Sequence, residues 1–158
     1  MRHLFWLIPG VLAGRPGPTK EFWDLGELRE AGIGAVLSVN DGELCRPSDF
    51  MAAGLLYRCV PLSPNAPPEE GDLEHCRAAL PIATQWVREL ESHRVATLVH
   101  CHSGKDRTGL FMAHYLVESR GLSPAAAIAE VRRVREIAFS APGWDEFALE
   151  VLSEARCK

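Results

Sequence analysis

The chain has 158 residues, of which 47% are hydrophobic and 24% are charged, and its formal net charge is -4. This balance excludes a disordered or collagen-like chain, and the length predicts a single domain over residues 1–158. The acidic balance argues against a general nucleic-acid binder, and no apolar run is long enough to form an integral membrane segment.

The N-terminal region, residues 1–14, contains an apolar stretch that Pro9-Gly10 divides in two. A signal peptide needs about 7–15 uninterrupted apolar residues. We therefore interpret the segment as two short strands joined by a turn.

The next fifty residues predict short alternating elements. The expected elements are a helix from Thr19 or Lys20 to Ala31 that Gly32 ends, a strand over 35–39, a turn at 40–42, a short helix from Pro47 to Ala53, a strand over 55–60 and a proline-rich loop over 61–68.

The second half predicts a long helix, one buried strand and three further helices. An apolar stripe runs from Leu73 to Leu90, and Pro81 inside it predicts a kink or a local break. A strand over 95–99 precedes helices over 107–119, over 124–138 with Ser123 as N-cap, and from Pro142 or Gly143 to Ala155. Strands alternating with helices predict an α/β fold, with a central, mostly parallel sheet of four to five strands flanked by helices.

The loop between the buried strand and the next helix carries the strongest functional signal. It contains the sequence His100-Cys101-His102-Ser103-Gly104-Lys105-Asp106-Arg107-Thr108-Gly109. Loop N–H groups and a helix N-terminus converge there, so a thiolate or a phosphate would be stabilised. Such surroundings bring cysteine pKa values to about 3.5–7.5, so we expect Cys101 to be an ionised nucleophile. Arg107 can hold two phosphoryl oxygens through paired hydrogen bonds, and Thr108 can donate to the cysteine sulfur.

The pattern His-Cys-x5-Arg-Thr-Gly resembles the signature loop of the cysteine-dependent protein tyrosine and dual-specificity phosphatases. Gly-Lys-Asp-Arg-Thr is similar to the loop of a bacterial branch of that family and of the myotubularins. The resemblance implies a dual-specificity phosphatase fold, attack on phosphorus by Cys101, and no cofactor. It also implies that His100 supports the loop and that these residues bind the phosphoryl group together with Arg107: His102, Ser103, Gly104, Lys105 and Thr108.

The general acid of this family is an aspartate in the loop after the strand that ends here at Val60. Matching the proline pattern places Pro64 or Asn65 there, and neither can donate the proton. Asp106 is the first replacement, because related loops contain an aspartate that has been proposed as the acid. The alternatives are Glu69, Glu70, Asp72 and Asp41. Asp106 could instead pair with Lys105 or Arg107, or cap a helix.

The expected substrates are phosphorylated proteins, carrying phosphotyrosine, phosphoserine or phosphothreonine, or small phosphate esters. Lys105 adds phosphoinositides as a further class.

Without the usual acid, a phosphate-recognition module is the alternative function. A sulfurtransferase or an arsenate reductase also uses a loop cysteine, but the loops of these enzymes are not expected to contain Arg-Thr-Gly six residues after the cysteine. The sequence fixes no oligomeric state.

Several other side chains have a functional and a structural interpretation. His100 and His102 flank Cys101, but no second cluster at zinc-like spacing is present, so no metal is expected. Arg132, Arg133 and Arg135 are interpreted as the solvated face of a helix.

The chain has five cysteines, an odd number without the spacing of a disulfide framework: Cys45, Cys59, Cys76, Cys101 and Cys157. This pattern predicts reduced thiols and a cytoplasmic location. Cys59 and Cys45 are expected to be buried thiols, and the alternative is that one of them forms a reversible disulfide with Cys101.

Overall fold

A five-stranded sheet forms the centre of the computed structural model, which describes residues 1–156. The strands are β1 (Phe5–Ile8), β2 (Leu12–Arg15), β3 (Ile33–Ser38), β4 (Leu56–Cys59) and β5 (Ala96–His100). Their order in the sheet is β1-β2-β5-β3-β4, and only the β1–β2 pair is antiparallel. The mostly parallel sheet and the two N-terminal strands are therefore confirmed.

Helices cover both faces of this sheet, as the alternation of elements predicts. They are α1 (Leu25–Glu30), α2 (Pro47–Ala52), α3 (Asp72–Ser92), α4 (Asp106–Arg120), α5 (Pro124–Val134) and α6 (Trp144–Arg156), with a short 3-10 helix at Gly42–Leu44. One core contains Leu28 of α1 and Phe50 of α2, and the larger core is formed by α3 to α6. In the described range 1–156, no helix is both long enough and apolar enough to cross a membrane.

The first helix begins later than the sequence predicts. The expected start at residue 19 or 20 is wrong, because Asp24 caps the helix through its carboxylate. Its Oδ1 accepts hydrogen bonds from the N–H groups of Gly26 and Glu27, at 2.8 and 3.2 Å. An N-cap of this kind satisfies N–H groups that have no partner within the helix, so it fixes where the helix starts.

Two predictions about the later helices are also corrected. Helix α3 runs without interruption from residue 72 to residue 92, so the local break expected at Pro81 is wrong, while the alternative of a kink there stays a prediction. Pro81 lies on the exposed side of α3, where water can solvate the carbonyl that loses its amide partner. Helix α5 ends at Val134 rather than at residue 138, and Arg135 already has non-helical backbone angles, φ -141° and ψ 85°.

The fold brings the signature loop to the carboxyl edge of the parallel strands. Strand β5 ends at His100, between the ends of β2 and β3, and α4 begins at Asp106. Ligands of open parallel sheets bind at this edge. Because the sequence predicts phosphate as the ligand of this loop, we call residues 101–107 the phosphate-binding loop from here on.

Candidate active site

Cys101 lies at the bottom of the phosphate-binding loop. It is only 1% exposed, and the Thr108 hydroxyl donates a hydrogen bond to its Sγ over 3.2 Å. The first turn of α4 begins at Asp106, within the loop. The N–H groups and the dipole at this helix N-terminus favour negative charge, on the sulfur or on a bound oxyanion.

His100 makes the hydrogen bonds through which it can orient the loop. Its Nδ1–H donates to the carbonyl oxygen of Cys101 at 3.0 Å, so Nε2 accepts from the Ser38 hydroxyl at 2.5 Å. Ser38 Oγ in turn lies 2.7 Å from the Tyr57 hydroxyl. Burial lowers the pKa of His100 to about 4, which keeps the ring neutral at physiological pH.

Arg107 connects the loop to two distant segments. Its Nε donates to the carbonyl of Ser63 at 2.8 Å, and its guanidinium carbon lies 4.9 Å from the centre of the Trp144 ring. The Trp144 indole N–H donates to the carbonyl of Asn65 at 2.8 Å. Among the described residues, none accepts a hydrogen bond from the terminal nitrogens of Arg107, so both are available to a ligand.

The Asp106 carboxylate is 3% exposed and already has two donors. Its Oδ2 lies 2.9 Å from Lys105 Nζ, and its Oδ1 accepts the N–H of Ala141 at 3.3 Å. Lys105 Nζ also lies 3.0 Å from Ser140 Oγ. These contacts are the ones expected from the alternative in which Asp106 pairs with Lys105, and they tie the loop to the segment that precedes α6.

The three candidate carboxylates that follow the proline-rich loop lie in two different environments. Asp72 accepts hydrogen bonds from the N–H of Glu69 at 2.6 Å and from the amide of Asn65 at 3.0 Å. Burial opposes ionisation of Asp72, but these hydrogen bonds outweigh it and lower its pKa. Asp72 is therefore held as a carboxylate, which disfavours it as a proton donor. Glu69 and Glu70 line a groove on the side of α6.

Asp41 is the one alternative acid that contacts the phosphate-binding loop directly. Its Oδ2 lies 3.1 Å from Nδ1 of His102, whose side chain is 54% exposed at the rim. Asp41 follows β3 and adopts a left-handed backbone conformation, with φ at 60°. This geometry places the Asp41 carboxylate against the residue that follows Cys101.

Two basic side chains contact the loop from elsewhere in the chain. Lys20 Nζ donates to Ser103 Oγ at 3.3 Å from the segment before α1. Arg135 donates to two loop carbonyls, from Nη2 to Ser103 at 2.8 Å and from Nε to Gly104 at 3.0 Å. The interpretation of Arg135 as part of a solvated helix face is therefore wrong, because α5 ends before it.

The other described cysteines are free thiols. Cys45 Sγ lies 3.7 Å from Nε2 of His100, and burial raises the pKa of both the Cys45 and the Cys59 thiol. Burial raises the pKa of Cys76 to about 11. A disulfide with the loop cysteine stays a prediction, and Cys157 lies outside the described residues.

Within residues 1–156, no three His, Cys, Asp or Glu side chains are grouped in a way that could hold a metal ion.

Sequence reasoning missed the side chains that support the loop from other parts of the chain: Lys20, Ser38, Tyr57, Arg135 and Trp144. Only Arg135 had a local signal, since an earlier end of α5 would have turned it away from the solvated face. The others have no motif, and only the fold brings them to the loop.

A family model described as "Swiss Army Knife protein, DSP-PTPase phosphatase domain" matches residues 1–140. The phosphatidylglycerophosphate phosphatase PTPMT1 of Arabidopsis thaliana is 25% identical over an alignment of 145 residues that covers 85% of this chain and 40% of that protein. Dual specificity protein phosphatase 12 of Mus musculus is 31% identical over 133 residues, 84% of this chain and 36% of that protein. The chain thus spans well under half the length of these curated relatives.

Solved structures share the fold over nearly the whole chain. Tk-PTP in its active form has a TM-score of 0.78 at 23% identity, covering 99% of this chain and 98% of that one. PTPMT1 in complex with PI(5)P has a TM-score of 0.77 at 17% identity, covering 97% and 94%. Human DUSP28 has a TM-score of 0.75 at 22% identity, covering 99% and 97%. At these identities the likeness shows a common architecture, that of the dual-specificity phosphatases.

Proposed function

The chain belongs to the DSP-PTPase phosphatase family, and from that premise we propose that it is a phosphomonoester hydrolase that works through a phosphocysteine intermediate. The observation that carries the proposal is the buried sulfur of Cys101, which accepts a hydrogen bond from the Thr108 hydroxyl over 3.2 Å. This sulfur lies near the N-terminus of α4. We place the phosphatase domain over residues 1–158. The absence of a disulfide spacing in the sequence supports a cytoplasmic location.

The proposed reaction has two displacements at phosphorus. The Cys101 thiolate attacks, the bond to the ester oxygen breaks, and that oxygen leaves with a proton. The loop N–H groups and Arg107 hold the other phosphoryl oxygens. Water then attacks the phosphocysteine, the sulfur leaves as a thiolate that accepts the Thr108 hydrogen bond, and inorganic phosphate is released.

The substrates we propose are phosphotyrosine, phosphoserine and phosphothreonine in proteins, with phosphoinositides as a second class. The second class is supported by a solved neighbour, PTPMT1, whose structure holds PI(5)P. The Arabidopsis thaliana relative is named for another phospholipid monoester, phosphatidylglycerophosphate. Lys105 at the rim supplies positive charge that would attract an anionic headgroup. Its ammonium group also donates hydrogen bonds to Asp106 and Ser140.

A phosphate-recognition module is the second candidate function. It is favoured by the loop after β4, where Pro64 and Asn65 replace the acid and Asn65 instead donates to Asp72. The two functions share the phosphate-binding loop and differ only in turnover.

Hydrolysis of p-nitrophenyl phosphate tests the proposal. Wild-type protein should release phosphate with and without EDTA, Cys101→Ser should abolish turnover but keep oxyanion binding, and Arg107→Lys should lose nearly as much. Cys59→Ser is the matched control and should retain the wild-type rate. Binding of phosphate without turnover by the wild-type protein would select the recognition module, and a serine variant that keeps the rate would refute the nucleophile.

Comparison of leaving groups identifies the proton donor. We keep Asp106 as the first candidate and Asp41 as the second, since these carboxylates lie in or against the loop. Loss of the true acid should reduce hydrolysis of alkyl phosphates by about 10- to 100-fold more than that of aryl phosphates. Asp106→Asn and Asp41→Asn are compared with Asp72→Asn, Glu69→Gln and Glu70→Gln. Equal losses on both esters would make Asp106 a structural partner of Lys105.

A further inference from the structure

We propose that Arg135 is a positioning residue of the phosphate-binding loop, and that its guanidinium holds two loop carbonyls outward so that the neighbouring N–H groups face the bound oxyanion. The inference rests on the proposed function of the loop. It assigns a role to a side chain 28 positions beyond Arg107 that does not touch the reacting atoms.

The hydrogen-bond pattern of the loop carries the proposal. A loop can direct its N–H groups towards an anion only if its carbonyls point away, and a buried carbonyl needs a donor. The carbonyl of Cys101 is bound by the His100 ring, and that of His102 by the N–H of Gly17 at 2.8 Å. The next two carbonyls, of Ser103 and Gly104, are bound by Arg135 alone among the described residues.

The planar guanidinium suits this task because two of its nitrogens serve two consecutive carbonyls. Arg135 is half-buried, its guanidinium carbon lies 5.4 Å from the Phe5 ring centre, and it is the residue at which α5 stops. No carboxylate among the described residues lies within salt-bridge distance of it.

The charge of Arg135 therefore acts on the loop without a neutralising partner. Burial lowers the pKa of Arg135, and its electrostatic interaction with Cys101 opposes that change by favouring the protonated guanidinium. The same interaction stabilises a thiolate or an oxyanion in the loop, since coupling between two charges is reciprocal.

Arg135→Met tests the proposal by removing both donors and the charge while keeping most of the side-chain volume. Tungstate affinity measured by calorimetry should fall about 10- to 100-fold, as for the loss of charged hydrogen bonds. Alkylation of Cys101 by iodoacetamide at pH 6 should slow, and kcat for p-nitrophenyl phosphate should fall by a similar factor. Arg135→Lys, which keeps the charge but not the planar fork, should recover part of each loss.

Arg133→Met is the matched control, because Arg133 lies two residues earlier, is exposed and pairs with Glu130 at 2.6 Å. It should leave all three measurements unchanged. Arg135→Gln provides a second test if the methionine variant does not fold. Tungstate affinity within twofold of the wild type, in either folded variant, overturns the proposal. A wild-type protein that neither binds tungstate nor hydrolyses the ester would instead overturn the proposed function itself.

Discussion

Substitution of Gly104 by alanine should destabilise the phosphate-binding loop by more than the cost of the left-handed backbone conformation at that residue. Gly104 has φ at +65°, a left-handed conformation that costs an alanine about 1–2 kcal/mol. An added Cβ would also lie 2.7 Å from the backbone carbon and oxygen of Arg15, whereas ordinary contact begins at 3.4 Å, so the two segments must separate by about 0.7 Å.

Arg15 cannot easily yield, because it is paired with His100 in the sheet and its guanidinium donates to three backbone carbonyls. The loop must therefore move, and Gly104 moves away from the position in which Arg135 holds it. A displacement approaching 1 Å near reacting groups costs about 100-fold in rate. We expect kcat/KM to fall by about that factor and the free energy of unfolding to fall by about 2–4 kcal/mol.

Gly121→Ala is the matched control for this experiment. Gly121 has φ at +70°, but nothing lies within 4 Å of an added Cβ. This variant should show only the conformational cost, about 1–2 kcal/mol by chemical denaturation, with unchanged kcat/KM. If the two alanine variants lose equal stability and equal activity, the reasoning from close packing against Arg15 is refuted.

Three further predictions concern the buried polar groups. Ser38→Ala leaves Nε2 of His100 with only the weak Cys45 thiol as a possible donor and should lower the unfolding free energy by about 1–3 kcal/mol in urea titrations. The pKa of His100 is about 4 in the folded protein, below the unfolded value, so the wild type should lose up to about 3 kcal/mol as the pH falls from 6.5 to 4. His100→Gln should lack this loss. Asp72→Asn should destabilise the protein by about 1–2 kcal/mol at pH 7. Because the folded pKa of Asp72 is lowered, the difference should persist down to the unfolded value of 3.8 and shrink at lower pH.

The parts of the fold that sequence reasoning predicted are those with a local cause. Pro9-Gly10 interrupts an apolar stretch and does separate β1 from β2, and the apolar stripe of α3 is buried at Cys76, Leu80 and Val87. Helix ends were predicted less well, because competing signals lie within a few residues of one another. Thr19 and Asp24 are both good N-caps, and only the structure shows that Asp24 caps the helix.

The candidate site divides in the same way. The phosphate-binding loop could be predicted because Cys101, Arg107 and Thr108 are close together in the sequence. Its supports could not, because Arg135 and Trp144 reach it only after α5 and α6 pack against α4. The boundary error that matters most is the end of α5, predicted at residue 138 but found at Val134, since a helix continued past Val134 would have kept Arg135 in the solvent.

The loop after β4 shows why the missing acid cannot be restored by one substitution. Asn65→Asp would supply a carboxylate at one of the two positions, Pro64 or Asn65, at which the family resemblance predicts the acid, but the Asn65 amide now donates to Asp72 at 3.0 Å. Two carboxylates at that distance cannot both ionise without cost, so one pKa must rise. We expect Asn65→Asp to lower the unfolding free energy at pH 7 by about 1–3 kcal/mol, and less at pH 5.

The exchange Asn65→Asp with Asp72→Asn should recover most of that loss, because it restores one amide and one carboxylate to the pair. A double-mutant cycle in urea measures the recovery. A single Asn65→Asp variant that is as stable as the wild type at pH 7 would show that the side chain at this position has turned away from Asp72. The carboxylate would then be free to serve as the acid, and hydrolysis of alkyl phosphates should rise.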